Sequence, residues 1–140
     1  MIRPFEEVAV GDDLPELRRV VTTGDVKAYA DAGGDQNPLH QSDEFARGVG
    51  FDGVIAHGMF TMGHMAACVL AWAGDPSAVS AIAAQFRATV SMGQEIVAGG
   101  TVREVDPASR TARLDLWVSS ERDGVIEWPI KRGSATVRLG

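Results

Sequence analysis

The sequence predicts an α+β domain in which an antiparallel sheet packs round one long central helix. Two observations carry that expectation. From Gly58 to Ala73 the chain is apolar on nearly every face, with Thr61 and His64 as its main polar members, and Gly74-Asp75-Pro76 stops it. A helix of that composition needs covering rather than a wet face. Everything after it favours strands: Ser80 to Met92, Glu95 to Val105, Thr111 to Ser119 and Val125 to Leu139 are rich in Val, Ile, Thr and Ala. Gly93, Asp106-Pro107 and Asp123-Gly124 separate them, so a meander of about four strands is expected. Leu114, Leu116 and Val118 alternate with Asp115, Trp117 and Ser119, the period of a strand with two unlike faces.

The elements before the long helix are shorter. After the turn-like Gly11-Asp12-Asp13, Leu17 to Thr22 reads as an extended segment. Thr22 and Thr23 offer capping hydroxyls, Asp25 sits in the first turn where the helix dipole favours an acid, and Val26, Tyr29 and Ala30 share a face. Gly33-Gly34 ends that helix. In Asp35-Gln36-Asn37-Pro38-Leu39-His40 the proline pushes Asn37 out of the helical region, so this stretch is a loop or turn. Gln41 to Gly50 contains another short helix.

Composition narrows the function. The chain has 140 residues, 45% hydrophobic, with 13 Lys and Arg against 19 Asp and Glu, a formal net charge of −6. That length fits one domain spanning residues 1–140. An acidic chain is a poor binder of phosphate backbones, which excludes nucleic acid as a partner. The tract from Met59 to Ala73 is too short to span a membrane, and His64 interrupts it. Glu6 and Glu7 rule out a secretory signal at the start, and the lone Cys68 cannot form an intrachain disulfide. A cytoplasmic protein without a membrane partner is the expectation.

The chemistry gathers between Asp35 and His57. Asp35 and His40 place a carboxylate near an imidazole, the side chain suited to proton exchange near neutral pH, with the amide of Asn37 between them. Further on, Val54-Ile55-Ala56-His57-Gly58-Met59 runs into the start of the apolar helix. The first N–H groups of a helix lack internal partners and carry the positive end of its dipole, so they suit an oxygen that gains negative charge. Gly58 lets a ligand come close to its N–H. Asp35, His40 and His57 also have the composition of a two-histidine, one-carboxylate metal triad, but the loop spacing makes no particular case for one.

Together, Gly34-Asp35-Gln36-Asn37-Pro38-Leu39-His40 and Val54-Ile55-Ala56-His57-Gly58-Met59 resemble the paired signature of the MaoC-like (R)-specific hydratases and dehydratases, which have a hot-dog fold. Phe5 to Asp12 and Gln85 to Val90 extend the resemblance over most of the chain. Within the family, Ala56 to Gly63 and Trp72 to Pro76 look most like the catalytic subunit of the actinobacterial (3R)-hydroxyacyl-ACP dehydratase of mycolic-acid synthesis.

The resemblance implies reversible hydration of trans-2-enoyl thioesters, carried on CoA or acyl carrier protein, to (3R)-3-hydroxyacyl thioesters. Asp35 and His40 would hold and activate the water, and the Gly58 N–H would receive the enolate oxygen. Asn37 and His57 join the substrate side, Asn37 as the amide that holds the loop or orients the pair. No cofactor and no metal are implied. Pairing with a second hot-dog chain, as a homodimer or a heterodimer, is expected because a short meander leaves an open edge. Two alternatives stay open. A hot-dog thioesterase is disfavoured because Gly58 to Ala73 holds neither Asp nor Glu, and a non-catalytic tunnel-shaping subunit because both Asp35 and His40 are present. Gly63 stands where some members carry a serine, and Thr89 near where many have a proline. Thioester carriers bring phosphates that Arg47, Arg87, Lys131 and Arg132 could meet, but these four are read as surface charges outside the site.

Overall fold

A computed structural model describes all residues, Met1 to Gly140. After a 3₁₀ turn at Phe5–Glu7 come strand β1 (Asp13–Val20), helix α1 (Thr23–Gly33), a 3₁₀ turn at Pro38–His40, and helices α2 (Asp43–Gly48) and α3 (Gly58–Ala73). A 3₁₀ turn at Pro76–Ala78 leads into β2 (Val79–Phe86), β3 (Glu95–Asp106), β4 (Thr111–Arg122) and β5 (Val125–Arg138). The five strands form one antiparallel sheet in the order β1-β3-β4-β5-β2, packed over α3 in the hot-dog arrangement.

Local chemistry explains the ends. Thr22 accepts from the Asp25 N–H and Asp25 accepts from the Thr22 N–H, a reciprocal capping box that starts α1. Gly34, at φ 79°, closes the same helix in the left-handed region, where a side chain is strained. Ser42 caps α2 through the Phe45 N–H.

The central core joins α3 to the sheet. Met65, Cys68, Val69 and Trp72 on the helix pack with Ile96, Val102, Leu114, Leu116, Val118 and Ile130. Leu114, Leu116 and Val118 are buried as their alternation implies, while Asp115 on the opposite face is exposed. His64 is a satisfied core histidine whose Nε2 lies 2.8 Å from the Leu17 carbonyl oxygen.

Four expectations change. First, the strands after the helix are not one meander. Only β3, β4 and β5 follow one another, and β2 sits beyond β5 at an edge. Second, β2 ends at Phe86 rather than Met92. The chain then leaves the sheet, and Val90 and Ser91 pair with the segment before α3, through the Ala56 N–H to the Val90 carbonyl and an Ile55–Ser91 bridge. Third, β1 begins at Asp13, with a register shift between Leu14 and Leu17 that accommodates Pro15 on this edge strand. Fourth, α3 is covered on one side only. A single sheet layer reaches one face, and Met59, Gly63, Ala67 and Leu70 along the other are exposed.

Candidate active site

Three segments build the site: the loop from Asp35 to His40, the strand-like approach Val54–Ala56, and the first turn of α3. The loop is held by its own short side chains. Asp35 Oδ1 accepts from the Asn37 N–H at 3.2 Å, and Asn37 Oδ1 accepts from the Leu39 N–H at 3.0 Å, capping the turn that carries His40. Gln36 ties the loop to α1 by donating to the Ala30 carbonyl at 3.0 Å, and Gln41 donates to the Gln36 side chain at 2.6 Å.

His40 is oriented from the other side. Its Nδ1 lies 2.7 Å from the Ile55 carbonyl oxygen, an acceptor only, so Nδ1 carries hydrogen and donates. In the neutral ring that leaves a lone pair on Nε2, which lies 4.0 Å from Asp35 Oδ2. The gap is too long for a direct hydrogen bond and suits one bridging water. The His40 side chain is 12% exposed and that of Asp35 is 55% exposed, so the carboxylate reaches solvent from a mostly enclosed imidazole.

Beneath His40 lies His57. The two rings stack with centroids 3.9 Å apart and planes 27° from parallel, and Tyr29 of α1 packs on His57 at 4.8 Å. His57 is 2% exposed, and its Nε2 lies 3.1 Å from the Asp35 carbonyl oxygen, to which it donates. Its Nδ1 is buried with no partner. His57 thus contacts both members of the Asp35–His40 pair. One possible ligand atom from each of Asp35, His40 and His57 falls within 4.8 Å of the others. The histidine lone pairs lie in their ring planes, however, and stacked rings send them side by side rather than toward a shared centre, a poor fit to metal coordination.

At the start of α3, Thr61 N–H and Phe60 N–H both reach the His57 carbonyl, whereas Gly58 N–H has no acceptor in the chain. Gly58 and His40 line the same cavity of about 210 Å³, together with Ile55, Thr61, Phe86 and Val90. Phe86 lies against Gly58, where an added Cβ would come within 3.2 Å of the ring. The structure therefore brings Asp35, His40, Asn37, His57 and Gly58 into one locale. Asn37 and His57 meet the loop through the contacts above, and Gly58 and His40 line the cavity. Gly63 is exposed, outside the cavity lining, and the hydroxyl-bearing residue of α3 that does line it is Thr61. Sequence reasoning missed Tyr29, the Ile55 carbonyl and Phe86. Only Tyr29 left a trace, as an aromatic on the inner face of α1.

The description "MaoC like domain" matches residues 7–118. The 3-hydroxybutyryl-CoA dehydratase of Methylorubrum extorquens is 37% identical over 137 residues, 96% of this chain and 83% of that protein. A solved MaoC-like dehydratase superposes with a TM-score of 0.88 at 36% identity over 99% of this chain, which spans 43% of that longer one. The 3-hydroxyacyl-thioester dehydratase X of Mycobacterium tuberculosis is 49% identical, but over 51 residues, 36% of this chain and 17% of that protein. That short match gives only weak support to a likeness with the actinobacterial mycolic-acid dehydratase subunit. With the family match covering most of its length and a relative at 37% identity along nearly all of it, the chain belongs to the MaoC-like domain family.

Proposed function

We propose that residues 1–140 act as one hydro-lyase domain, adding water reversibly to trans-2-enoyl thioesters to give (3R)-3-hydroxyacyl thioesters. One observation carries this reading: Nε2 of His40 and the Asp35 carboxylate lie 4.0 Å apart, and His40 lines a cavity together with Gly58, whose helix-terminal N–H has no acceptor in the chain. The name of the Methylorubrum relative, a 3-hydroxybutyryl-CoA dehydratase, is the same reaction written in reverse.

In the proposed cycle a water held between Asp35 and His40 gives one proton to the pair as its oxygen bonds to C3. The electron pair of the C2–C3 double bond moves toward the thioester carbonyl. Gly58 N–H donates to that oxygen, a contact of a kind whose loss costs about 2.7–4 kcal/mol of transition-state stabilisation. The enolate collapses as the pair returns one proton to C2. Dehydration follows the same steps backward, with the pair removing the C2 proton and protonating the departing hydroxyl. Asn37 and His57 hold the loop and the ring in place.

A second hot-dog chain is proposed to cover the open α3 face and to extend β2, whose edge carries neither Lys nor Pro to discourage pairing. Light scattering of the purified protein reads this directly.

The activity test follows the loss of enoyl-thioester absorbance with crotonyl-CoA and the chirality of the product. Asp35→Asn and His40→Ala are expected to lose about 10²–10⁴-fold in kcat, the usual worth of general acid–base catalysis. Wild-type rates in both variants would move the site elsewhere. Release of free CoA would make the protein a thioesterase.

A further inference from the structure

The face of the sheet turned away from α3 carries a second cavity, about 590 Å³, lined by Arg103 of β3, Arg113 and Asp115 of β4, and Lys131, Arg132 and Ser134 of β5. Its residues alternate with buried ones that meet the helix layer: Arg113 lies between Ala112 and Leu114, and Asp115 between Leu114 and Leu116. The cavity is therefore separate from the one that His40 and Gly58 line.

Its charge is unusual for this chain. Nine of the 13 cations reach an acceptor within the molecule: Arg3, Arg18, Arg19, Lys27, Arg47, Arg87, Arg103, Arg110 and Arg122. Of the remaining four, Arg113, Lys131 and Arg132 all stand in this one cavity, and only Arg138 is elsewhere. The single carboxylate present, Asp115, lies 3.6 Å from Arg103 and leaves the other three uncompensated. A chain of net charge −6 has thus gathered three free cations at one place.

The backbone helps put them there. Against β2, β5 steps from Ile130 to Gly133 while its partner steps only from Phe86 to Ala84, and against β4 the same stretch faces Val118 to Leu116. One extra residue is inserted in β5, a bulge at Lys131–Arg132. In a regular strand one of two consecutive residues would turn toward the helix layer. Here both are exposed, whereas Ile130 and Gly133 on either side are buried.

We propose that this cavity binds a compact ligand carrying at least two linked phosphate groups. One phosphate monoester carries about −1.5 to −2 charges at neutral pH, short of three free cations, whereas two phosphates match them. Arginine forks suit phosphate oxygens in pairs, and the half-buried Ser134 hydroxyl adds a donor. With Leu116 as its one apolar lining residue, the cavity recognises phosphate rather than a base or an acyl chain. The diphosphate can come free or within CoA, the carrier in the proposed reaction; the second source rests on that reading, the first does not.

The test is calorimetric titration of the full chain at about 0.15 M salt, where loose surface pairing is screened. Inorganic diphosphate, monophosphate and CoA without an acyl group are titrated into wild type and into the double variant Arg113→Gln/Arg132→Gln. Saturable binding of diphosphate, at least ten-fold tighter than monophosphate and weakened at least ten-fold in the variant, is expected. Hydration of crotonyl-N-acetylcysteamine, which has no phosphate, should keep its kcat and KM in the variant. If CoA is the source, CoA binding weakens with the variant and KM for crotonyl-CoA rises; if diphosphate is taken free, both stay unchanged. Absence of saturable diphosphate binding, or equal binding by the variant, overturns the proposal. Because that readout needs no turnover, it stands or falls apart from the hydro-lyase assignment.

Discussion

His57 offers a test in which activity and stability move in opposite directions. Its Nε2–H donates to the Asp35 carbonyl at 3.1 Å, its ring supports His40 at 3.9 Å, and its Nδ1 is buried without a partner. His57→Phe keeps a flat ring beneath His40 and removes both polar atoms. The lost hydrogen bond costs about 0.5–1.5 kcal/mol, whereas release of the unsatisfied nitrogen returns about 1–3 kcal/mol. The half-exposed loop lets water serve the abandoned carbonyl. At about 2.1 cal/mol/K per residue, 140 residues give an unfolding entropy near 0.29 kcal/mol/K, so each kcal/mol is about 3 °C. Tm is therefore expected to hold or to rise by a few degrees. The Asp35 backbone loses its anchor, and misplacement by about 1 Å costs on the order of 10²-fold, so kcat for crotonyl-CoA should fall about 10–100-fold with KM changed less. His57→Gln, which can donate from near the Nε2 position, should recover part of that loss. A Phe variant with wild-type kcat would refute the positioning role. So would loss of activity accompanied by a Tm drop beyond about 5 °C, since a damaged fold would then suffice.

Other outcomes follow from single contacts. Gly58→Ala puts a methyl 3.2 Å from the movable, half-exposed Phe86 ring, so the fold should survive while kcat/KM falls about 10²-fold or more as the methyl crowds the N–H; near-wild-type kinetics would remove Gly58 from the mechanism. Burial holds His64 below the ordinary imidazole range, with Arg19 adding to the effect against the opposing Leu17 hydrogen bond. Its neutral form is favoured in the folded state, so this stability is fully present above about pH 6.5 and lost as pH falls through the lowered folded value. His64→Gln should flatten the Tm profile across that window. Gly133→Ala would place a Cβ 2.6 Å from Met65 Sδ and 3.2 Å from Leu116 Cβ, an overpacking expected to cost about 1–3 kcal/mol and to lower Tm by about 3–10 °C. Burial pushes the Cys68 thiol up and leaves it 2% exposed, so a thiol reagent should label it only on the timescale of unfolding.

Elements that announce themselves through side chains were legible. The span of α3 follows from apolar residues bounded by Gly58 and Gly74, and the start of α1 from capping threonine hydroxyls followed by a first-turn aspartate. β4 was readable because one face meets the core and the other water. The place of β2 was not. Val79–Phe86 has the same composition whether it pairs with β3, its successor, or with β5, and the choice depends on where the chain after Phe86 is drawn. The coverage of α3 misled for a related reason: an apolar surface states that something covers it, not that the same chain does.

The site divides in the same way. Asp35, Asn37 and His40 sit on one short loop, so their nearness was legible from spacing alone. What makes them a matched pair comes from elsewhere. The atom that settles the His40 tautomer is the Ile55 carbonyl, and a main-chain oxygen leaves no mark in a residue pattern. It is held there because Ala56 N–H bonds to Val90 and Ile55 bridges to Ser91, on the segment that leaves β2 early. The departure of the chain from the sheet at Phe86 is therefore the event that builds the site. It places Phe86 against Gly58, pins the Ile55 carbonyl under His40, and opens the cavity between them. A strand running on to Met92, as the composition alone suggested, would have extended the sheet and left His40 without its acceptor.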